Sequence, residues 1–246
     1  MAHKTYIRHT DGDLAVLFLH GFLGSPEHFE PLVKEIPEGI GVYNLLLAGH
    51  GKTVRDFGKA SMQQWKQQVE DVMKELEQRY RKVIIVGHSM GTFFAMEQAV
   101  KRPELVESLL LLQTPLKIFV KPISVINTLK SFFSLFGEDE VGRAYRNAHS
   151  VKLNFKLWEY ITWIPRYSEL FRASAEHRKT VTRVTVPCYI FQSKRDEMVS
   201  LKSLQFVPEQ ENFHIHVLEQ SAHFIYDVQE MKSIQECFCK LIKQRL

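Results

Sequence analysis

The stretch Val83-Ile84-Ile85-Val86-Gly87-His88-Ser89-Met90-Gly91 decides the predicted fold, because a short apolar run leads directly into the pattern G-x-S-x-G. The residues that follow, 92–100, are predicted to form a helix that ends before Pro103. A strand, a tight turn and a helix in this order hold a serine in a strained backbone conformation at the edge of a sheet. Glycine is required two residues before and after that serine, because a Cβ atom there would approach neighbouring backbone too closely. The stretch therefore predicts Ser89 as a nucleophile.

Apolar runs and helical patterns alternate on both sides of this stretch. Strands are predicted at 14–19, 41–47, 83–86, 108–112, 188–192 and 213–218, and helices at 26–36, from Ser61 onward, at 92–100 and at about 227–243. Continuous apolar strands are typical of a parallel sheet that helices cover on both faces. The alternation implies right-handed crossovers. We predict an α/β fold with a mostly parallel central sheet flanked by helices.

Residues 115–180 interrupt the alternation. The segment contains no clear strand, and its amphipathic text predicts a helical cap inserted into a core domain made of residues 1–114 and 181–246. Its phenylalanine and tryptophan residues are Phe119, Phe132, Phe133, Phe136, Phe155, Trp158, Trp163 and Phe171. Because aromatic side chains bury large areas, we expect some of them to face the core domain or an apolar substrate pocket.

Composition excludes several classes of protein. The chain has 246 residues, 45% of them hydrophobic, and a net charge of +4, which excludes disorder. The predicted cap carries 11 Lys and Arg against 6 Asp and Glu, so the basic excess does not form a nucleic-acid-binding stripe. We expect this charge to lie on a solvated outer face, or to favour substrates with an acidic group.

Cysteine usage and hydropathy bear on location and cofactors. Three cysteines are too few for a disulfide scaffold and are predicted to be free thiols in a reducing compartment. No run approaches the roughly 20 apolar residues of a membrane-spanning helix, and no secretory signal is visible. No cluster has the spacing of metal ligands. We therefore expect a cytoplasmic protein without a metal, a cofactor, a nucleic-acid partner or an integral membrane segment, and leave its oligomeric state open.

A serine nucleophile needs a base, and the base needs an acid that orients it. On this topology the three residues follow in the order Ser, Asp or Glu, then His. Asp196 follows the strand at 188–192, and His223 follows the strand at 213–218. Loops at the carboxyl ends of parallel strands meet at one edge of the sheet, which brings both residues to Ser89. Glu197, directly after Asp196, is the competing candidate for the acid.

The remaining candidate histidines are interpreted as structural. His88 is expected to support the turn rather than act as the base. His214 and His216 alternate along one strand and therefore share one face. His149 and His177 lie in the predicted cap and are expected at the surface or in packing contacts.

Acyl transfer also requires an oxyanion hole, in which two backbone N–H groups stabilise the developing negative charge. Met90 follows the nucleophile and starts the next helix, so its N–H is one predicted donor. The other donor is expected from the loop His20-Gly21-Phe22-Leu23-Gly24 after the first apolar strand, where Phe22 is the natural candidate.

These motifs, with Gly49-His50-Gly51, Asp196 and His223, resemble the α/β-hydrolase superfamily. Within it the chain is most similar to bacterial carboxylesterases and monoacylglycerol lipases. The resemblance covers nearly the whole chain, although Ala48 stands where such families often have Pro or Arg. It implies an α/β-hydrolase fold, with Ser89 as nucleophile, Asp196 as acid, His223 as base, and the amides of Phe22 and Met90 as oxyanion donors.

The resemblance implies a serine hydrolase that cleaves small-molecule carboxylic esters, of short to medium acyl chain or of monoacylglycerol type, through an acyl-enzyme. One alternative is another reaction on the same three residues: thioester hydrolysis, carbon–carbon hydrolysis or elimination in cofactor biosynthesis. A second is a binding protein that kept the fold without catalysis, which the presence of all three residues disfavours. A dehalogenase would carry Asp in place of Ser89.

Overall fold

The computed structural model describes residues 3–119 and 149–245. Within them, seven strands form one sheet in the order β1-β3-β2-β4-β5-β6-β7. Their bounds are β1 Tyr6–Arg8, β2 Leu14–Leu19, β3 Gly41–Leu45, β4 Lys82–His88, β5 Val106–Leu112, β6 Cys188–Ser193 and β7 Phe213–Leu218. Strand β1 pairs antiparallel with β3, and every other pair is parallel. The prediction of a mostly parallel sheet is confirmed.

Helices cover both faces of the sheet, as predicted. The α-helices of the described residues are α1 Glu30–Val33, α2 Val54–Lys59, α3 Met62–Arg79, α4 Gly91–Lys101, α5 Ile164–Thr180 and α6 Val228–Lys243. Helix α3 buries Trp65, Val69 and Met73 in the core on one face of the sheet. Helix α6 buries Ile234 and Phe238 in the core on the opposite face. Between these layers β2 is buried along its whole length, which explains its continuous apolar sequence.

Short 3₁₀ helices fill several connections, at Pro26–Phe29, Leu157–Trp163, Val181–Arg183 and Leu201–Phe206. The helix predicted at 26–36 is therefore split into a 3₁₀ turn and the short α1. Ser25 Oγ accepts a hydrogen bond from the backbone N–H of Glu27 and so caps the start of the 3₁₀ turn.

Two elements of the fold have no clear signal in the sequence. Strand β1 is three residues long and lies at the sheet edge, so it has no apolar run to mark it. Helix α2 is six residues long, and Gly58 in its interior weakens the helical pattern. Its start is fixed by a capping box between Thr53 and Asp56.

Within the described part of the predicted cap, residues 157–180 are helical, whereas residues 115–119 and 149–156 are not. Trp163 donates a hydrogen bond from Nε1 to the Val54 carbonyl, 2.8 Å away, and its ring contacts Phe57 at 5.0 Å. Helix α5 packs against α3 and α4. Residues 120–148, which include Phe132, Phe133 and Phe136, lie outside the described residues. Within the described ranges, no helix is long and apolar enough to cross a membrane.

Candidate active site

Ser89 occupies a turn between β4 and α4, in a backbone conformation that residues other than glycine rarely adopt. Its φ angle is +49°, in the left-handed region, which costs a non-glycine residue about 1–2 kcal/mol. The strain is held by hydrogen bonds on both sides of the residue. The Ser89 N–H donates to the Leu112 carbonyl at 2.9 Å, and the Ser89 carbonyl accepts from Thr92 N–H at 2.9 Å and Thr92 Oγ1 at 2.7 Å.

Glycines allow this turn to approach its neighbours. A Cβ atom at Gly87 would lie 2.9 Å from the Thr92 backbone nitrogen, and one at Gly91 would overlap the Leu19 carbonyl. A Cβ atom at Gly21 would lie 2.8 Å from the Ser89 Cβ. The requirement for glycine at 87 and 91 is confirmed, and Gly21 brings the loop after β2 directly against Ser89.

Asp196 and His223 are brought together, as predicted. His223 donates from Nδ1 to Asp196 Oδ2 at 2.7 Å, and both side chains are almost completely buried. The other carboxylate oxygen, Oδ1, accepts the backbone N–H groups of Met198 and Val199, each at 2.7 Å. Asp196 is therefore fixed by its own loop and in turn fixes the orientation of the imidazole.

His88 connects the serine turn to His223. It donates from Nε2 to the His223 backbone carbonyl at 3.0 Å, and the two rings lie 4.9 Å apart. The prediction that His88 supports the site is consistent with this contact. Because His88 directly precedes Ser89, the bond sets the distance between the serine turn and the histidine loop.

The charge states of the site histidines differ. Burial lowers the pKa of His223, but the Asp196 carboxylate and the nearby Glu197 outweigh it and raise the pKa above the usual 6.5. Burial lowers the pKa of His28 to about 3, and it lowers that of His88 well below its usual value. Near neutral pH, His28 and His88 are thus uncharged, and His223 is the imidazole that readily gains a proton.

The loop 20–24 is held rigidly beside Ser89. His20 accepts the Leu47 N–H on Nε2 at 3.0 Å, and it donates from Nδ1 to the Gly21 carbonyl at 2.9 Å. The same carbonyl accepts the Gly24 N–H at 2.9 Å, and Leu23 has a φ of +58°. Backbone N–H groups on such a tight turn are available to a ligand rather than to regular secondary structure.

The two predicted oxyanion donors belong to the residue that follows Ser89 and to the loop 20–24, whose Gly21 lies against Ser89. Met90 is buried and lies directly before α4, so its N–H belongs to the N-terminal end of a helix, which favours negative charge. The Phe22 ring packs against the rings of Phe57 and of Tyr167 on α5, with 5.0 and 4.9 Å between ring centroids. Helix α5 therefore supports the loop that carries the Phe22 amide.

The sequence of this chain is similar to those of known proteins. A sequence profile of the Alpha/beta hydrolase family matches residues 16–231. The chain belongs to the alpha/beta hydrolase family. It is 25% identical over 198 residues to a thermostable monoacylglycerol lipase from Bacillus sp. (strain H-257), covering 77% of this chain and 73% of the relative. The α/β-hydrolase fold and the relation to esterases and monoacylglycerol lipases are thereby confirmed.

Solved structures share the fold at low sequence identity. A structure of the metagenome-derived lipolytic enzymes LipS and LipT superposes with a TM-score of 0.74 at 19% identity, over 98% of both chains. The meta-cleavage product hydrolase CumD from Pseudomonas fluorescens IP01 superposes with a TM-score of 0.68 at 15% identity, over 98% of this chain and 93% of that one. Enzymes of differing chemistry therefore share this hydrolase fold.

The other candidate histidines of this α/β hydrolase lie in packing contacts. His214 stacks on Tyr189 and His216 on Phe191, each with ring centroids 4.5 Å apart. His149 and His177 are buried, so the surface alternative is wrong for both. Their packing contacts are with Phe224 for His149 and with Phe93 for His177, at 4.7 and 4.4 Å between ring centroids.

The aromatic residues of the predicted cap divide into two groups. Trp163 is buried against α2, as expected for residues that face the core domain. Other described members of the set are exposed: Phe119, Phe155, Trp158 and Phe171. Periodicity could not separate the groups, because the exposed residues are as apolar as the buried one.

Gln113, which the sequence analysis did not single out, adopts a strained backbone with a φ of +55° at the end of β5. Its Oε1 accepts the Ser193 N–H at 2.8 Å, and its Nε2 donates to Ser193 Oγ. The side chain thereby joins the ends of β5 and β6.

Glu230, also missed, is in the first turn of α6 and accepts the N–H groups of Glu219, Gln220 and Ser221 at 2.6, 3.0 and 2.9 Å. These bonds fix the loop that leads to His223. A glutamate in a first helical turn is common, so no local signal marks this role.

Across the described ranges, no group of three His, Cys, Asp or Glu side chains could hold a metal ion.

Proposed function

We propose that this protein hydrolyses carboxylic esters through an acyl-enzyme on Ser89, with His223 as base and Asp196 as the acid that orients it. The observation that carries the proposal is the pairing of a strained serine with a buried Asp–His pair at the same sheet edge. Ser89 has a φ of +49°. The backbone carbonyl of His223 accepts a hydrogen bond from His88, the residue that precedes Ser89. Backbone strain of this kind is concentrated at active sites and ligand-binding sites.

The bond between His223 and Asp196 supports an assignment of the proton transfers. Because His223 Nδ1 is bonded to Asp196, Nε2 is the nitrogen that accepts the Ser89 Oγ proton as Oγ attacks the ester carbonyl carbon. The carbonyl π electrons move to oxygen, where the amides of Phe22 and Met90 stabilise the charge. Collapse of this intermediate expels the alcohol, which takes the proton from Nε2. Water then attacks the acyl-enzyme by the same sequence and releases the acid.

We propose an apolar acyl or alkyl substrate, of short to medium chain or of monoacylglycerol type. The support is the packing of Phe22 on Phe57 and Tyr167, which gives the loop beside Ser89 aromatic surroundings. The relation to the Bacillus monoacylglycerol lipase supports the same class. The predicted cap over 115–180 remains part of this proposal, with α5 placed against the Phe22 loop.

A panel of p-nitrophenyl esters of increasing acyl length, with matched thioesters and carbon–carbon substrates, tests the function. The wild type should prefer esters, and Ser89→Ala should reduce kcat by at least about 10⁴-fold while the protein stays folded. Ser233→Ala, an exposed serine on α6, is the matched control and should retain full activity. Labelling with a fluorophosphonate probe should require Ser89. Faster turnover of thioesters or of carbon–carbon substrates than of esters would show that the site catalyses that reaction instead. The absence of a probe adduct at Ser89 would refute its role as the nucleophile.

A further inference from the structure

A second carboxylate contacts His223 from its backbone side. Glu197 follows Asp196 in the loop after β6, and its Oε2 accepts the His223 backbone N–H at 3.2 Å. Its side chain is buried, with 6% of the residue exposed. The two consecutive carboxylates therefore hold one residue at two places, since Asp196 binds the ring and Glu197 binds the main chain.

Burying two carboxylates side by side is unfavourable unless N–H donors or positive charge compensate them. Asp196 receives two backbone N–H groups and the imidazole N–H. Glu197 receives the backbone N–H of the same histidine. When His223 gains a proton, it supplies the positive charge that such an arrangement favours.

Two other histidines around His223 are uncharged at neutral pH. His88 at the end of β4 and His28 in the Pro26–Phe29 turn are neutral, because burial lowers the pKa of both. Tyr226, in the loop before α6, is an uncharged phenol, because burial and the Asp196 charge raise its pKa. His149 faces the same cluster across the Phe224 ring. Among the described residues, the negative charges that act on His223 are those of Asp196 and Glu197.

We propose that Glu197 is a positioning residue for His223, whose carboxylate holds the histidine main chain and whose negative charge stabilises the imidazolium form. This inference rests on the proposed function, in which His223 takes the Ser89 proton. The charge strengthens His223 as a base and stabilises the ion pair formed when Ser89 attacks. An uncharged amide at this position would still accept the backbone N–H, so the charge is the separable part of the role.

Glu197→Gln tests the charge while keeping an acceptor for the His223 N–H. In the full-length chain, the acid limb of kcat/KM on p-nitrophenyl butyrate should move to lower pH by at least about half a pH unit. At pH 8, kcat should fall by about 3- to 30-fold with little change in KM. Glu219→Gln is the matched control, because its exposed carboxylate lies in the same loop region and pairs with Lys194. This control should leave both quantities at wild-type values.

A titration that does not depend on turnover separates this inference from the proposed function. The titration is followed by NMR in protein labelled with ¹³C-histidine, in which the His223 resonance is identified by its loss in His223→Gln. The pH midpoint of this resonance should be lower in Glu197→Gln than in the wild type. Ser89-dependent esterase activity with both midpoints unchanged would overturn the role of Glu197. A shifted resonance in a protein without any Ser89-dependent esterase activity would refute the proposed function and leave the Glu197 inference standing.

A second variant keeps the test decisive if Glu197→Gln does not fold. Glu197→Asp retains the charge but withdraws the carboxylate from the His223 N–H. Its acid limb should stay within about 0.3 pH unit of the wild type, while kcat falls at least about 3-fold through misplacement of the ring. A wild-type kcat in Glu197→Asp would contradict the positioning role.

Discussion

Lowering the pH from 8 to 5 should destabilise the folded protein by about 4 kcal/mol or more, because several histidines are buried without charge in the folded state. Burial lowers the pKa of His20 to about 4 and that of His28 to about 3, from the usual 6.5. In both cases the folded-state pKa lies below the unfolded one, so the unfolded chain binds more protons as the pH falls. The loss therefore begins near pH 6.5 and continues down to the folded-state pKa values.

The magnitude follows from these two histidines. At pH 5 an unfolded histidine is almost fully protonated while His20 and His28 remain neutral, which costs about 2 kcal/mol of stability for each. His50 and His88 act in the same direction, because burial lowers the pKa of both. His223 opposes them, since its folded-state pKa is raised. A loss of about 4 kcal/mol is a large part of the 5–15 kcal/mol typical of a folded domain.

Urea unfolding followed by tryptophan fluorescence at pH 8 and pH 5 measures the loss. His28→Phe replaces a buried imidazole that neighbours Phe29 and Phe224, and it should reduce the pH-dependent loss by about 2 kcal/mol. Phe29→Leu is the control, because a core substitution without a titrating group should destabilise equally at both pH values. Wild-type stabilities that agree within about 1 kcal/mol between pH 8 and pH 5 would refute the reasoning.

Two further predictions concern the serine turn and an ion pair distant from it. Gly21→Ala places a Cβ atom 2.8 Å from the Ser89 Cβ, so ester hydrolysis should fall at least about 10-fold in kcat, with about 1–3 kcal/mol lost in urea unfolding; an unchanged kcat would show that the two loops separate freely. Glu70 lies 2.6 Å from Arg102, whose hydrogen bonds lower the Glu70 pKa to about 2. The stability from this depressed pKa is complete above pH 4.5 and is lost as the pH falls toward 2, so Glu70→Gln should cost about 1–2 kcal/mol equally at pH 7 and pH 5.5. Unequal losses in urea unfolding at those two pH values would contradict the assignment.

The parts of the site that sequence alone predicts are those with local causes. The turn at Ser89 needs glycine at 87 and 91 because of contacts made by the turn itself, so its pattern is readable. Asp196 and His223 are predictable because each follows an apolar strand, and the carboxyl ends of parallel strands lie at one edge of the sheet. Their direct bond, at 2.7 Å, agrees with that reasoning.

The parts that sequence could not predict depend on contacts between distant residues. Strand β1 is stabilised by pairing with β3 rather than by its own composition, and its residues are partly exposed. The sequence presents Glu197 only as a rival to Asp196, because no neighbouring residue indicates that its carboxylate accepts the backbone N–H of His223. Gln113 reaches Ser193, 80 residues away in the chain. Such pairs become visible only when the sheet order is known.

The attachment of the His223 loop to Glu230 has a consequence for the order in which the site is assembled during synthesis. The strands that present Ser89, β2, β4 and β5, precede residue 113, whereas Glu230 belongs to α6, more than a hundred residues later. Because a nascent chain emerges from its amino end, the serine turn can be complete while the histidine loop still lacks its anchor. A nascent chain that still lacks α6 therefore has all the residues of the serine turn but not the anchor of the His223 loop.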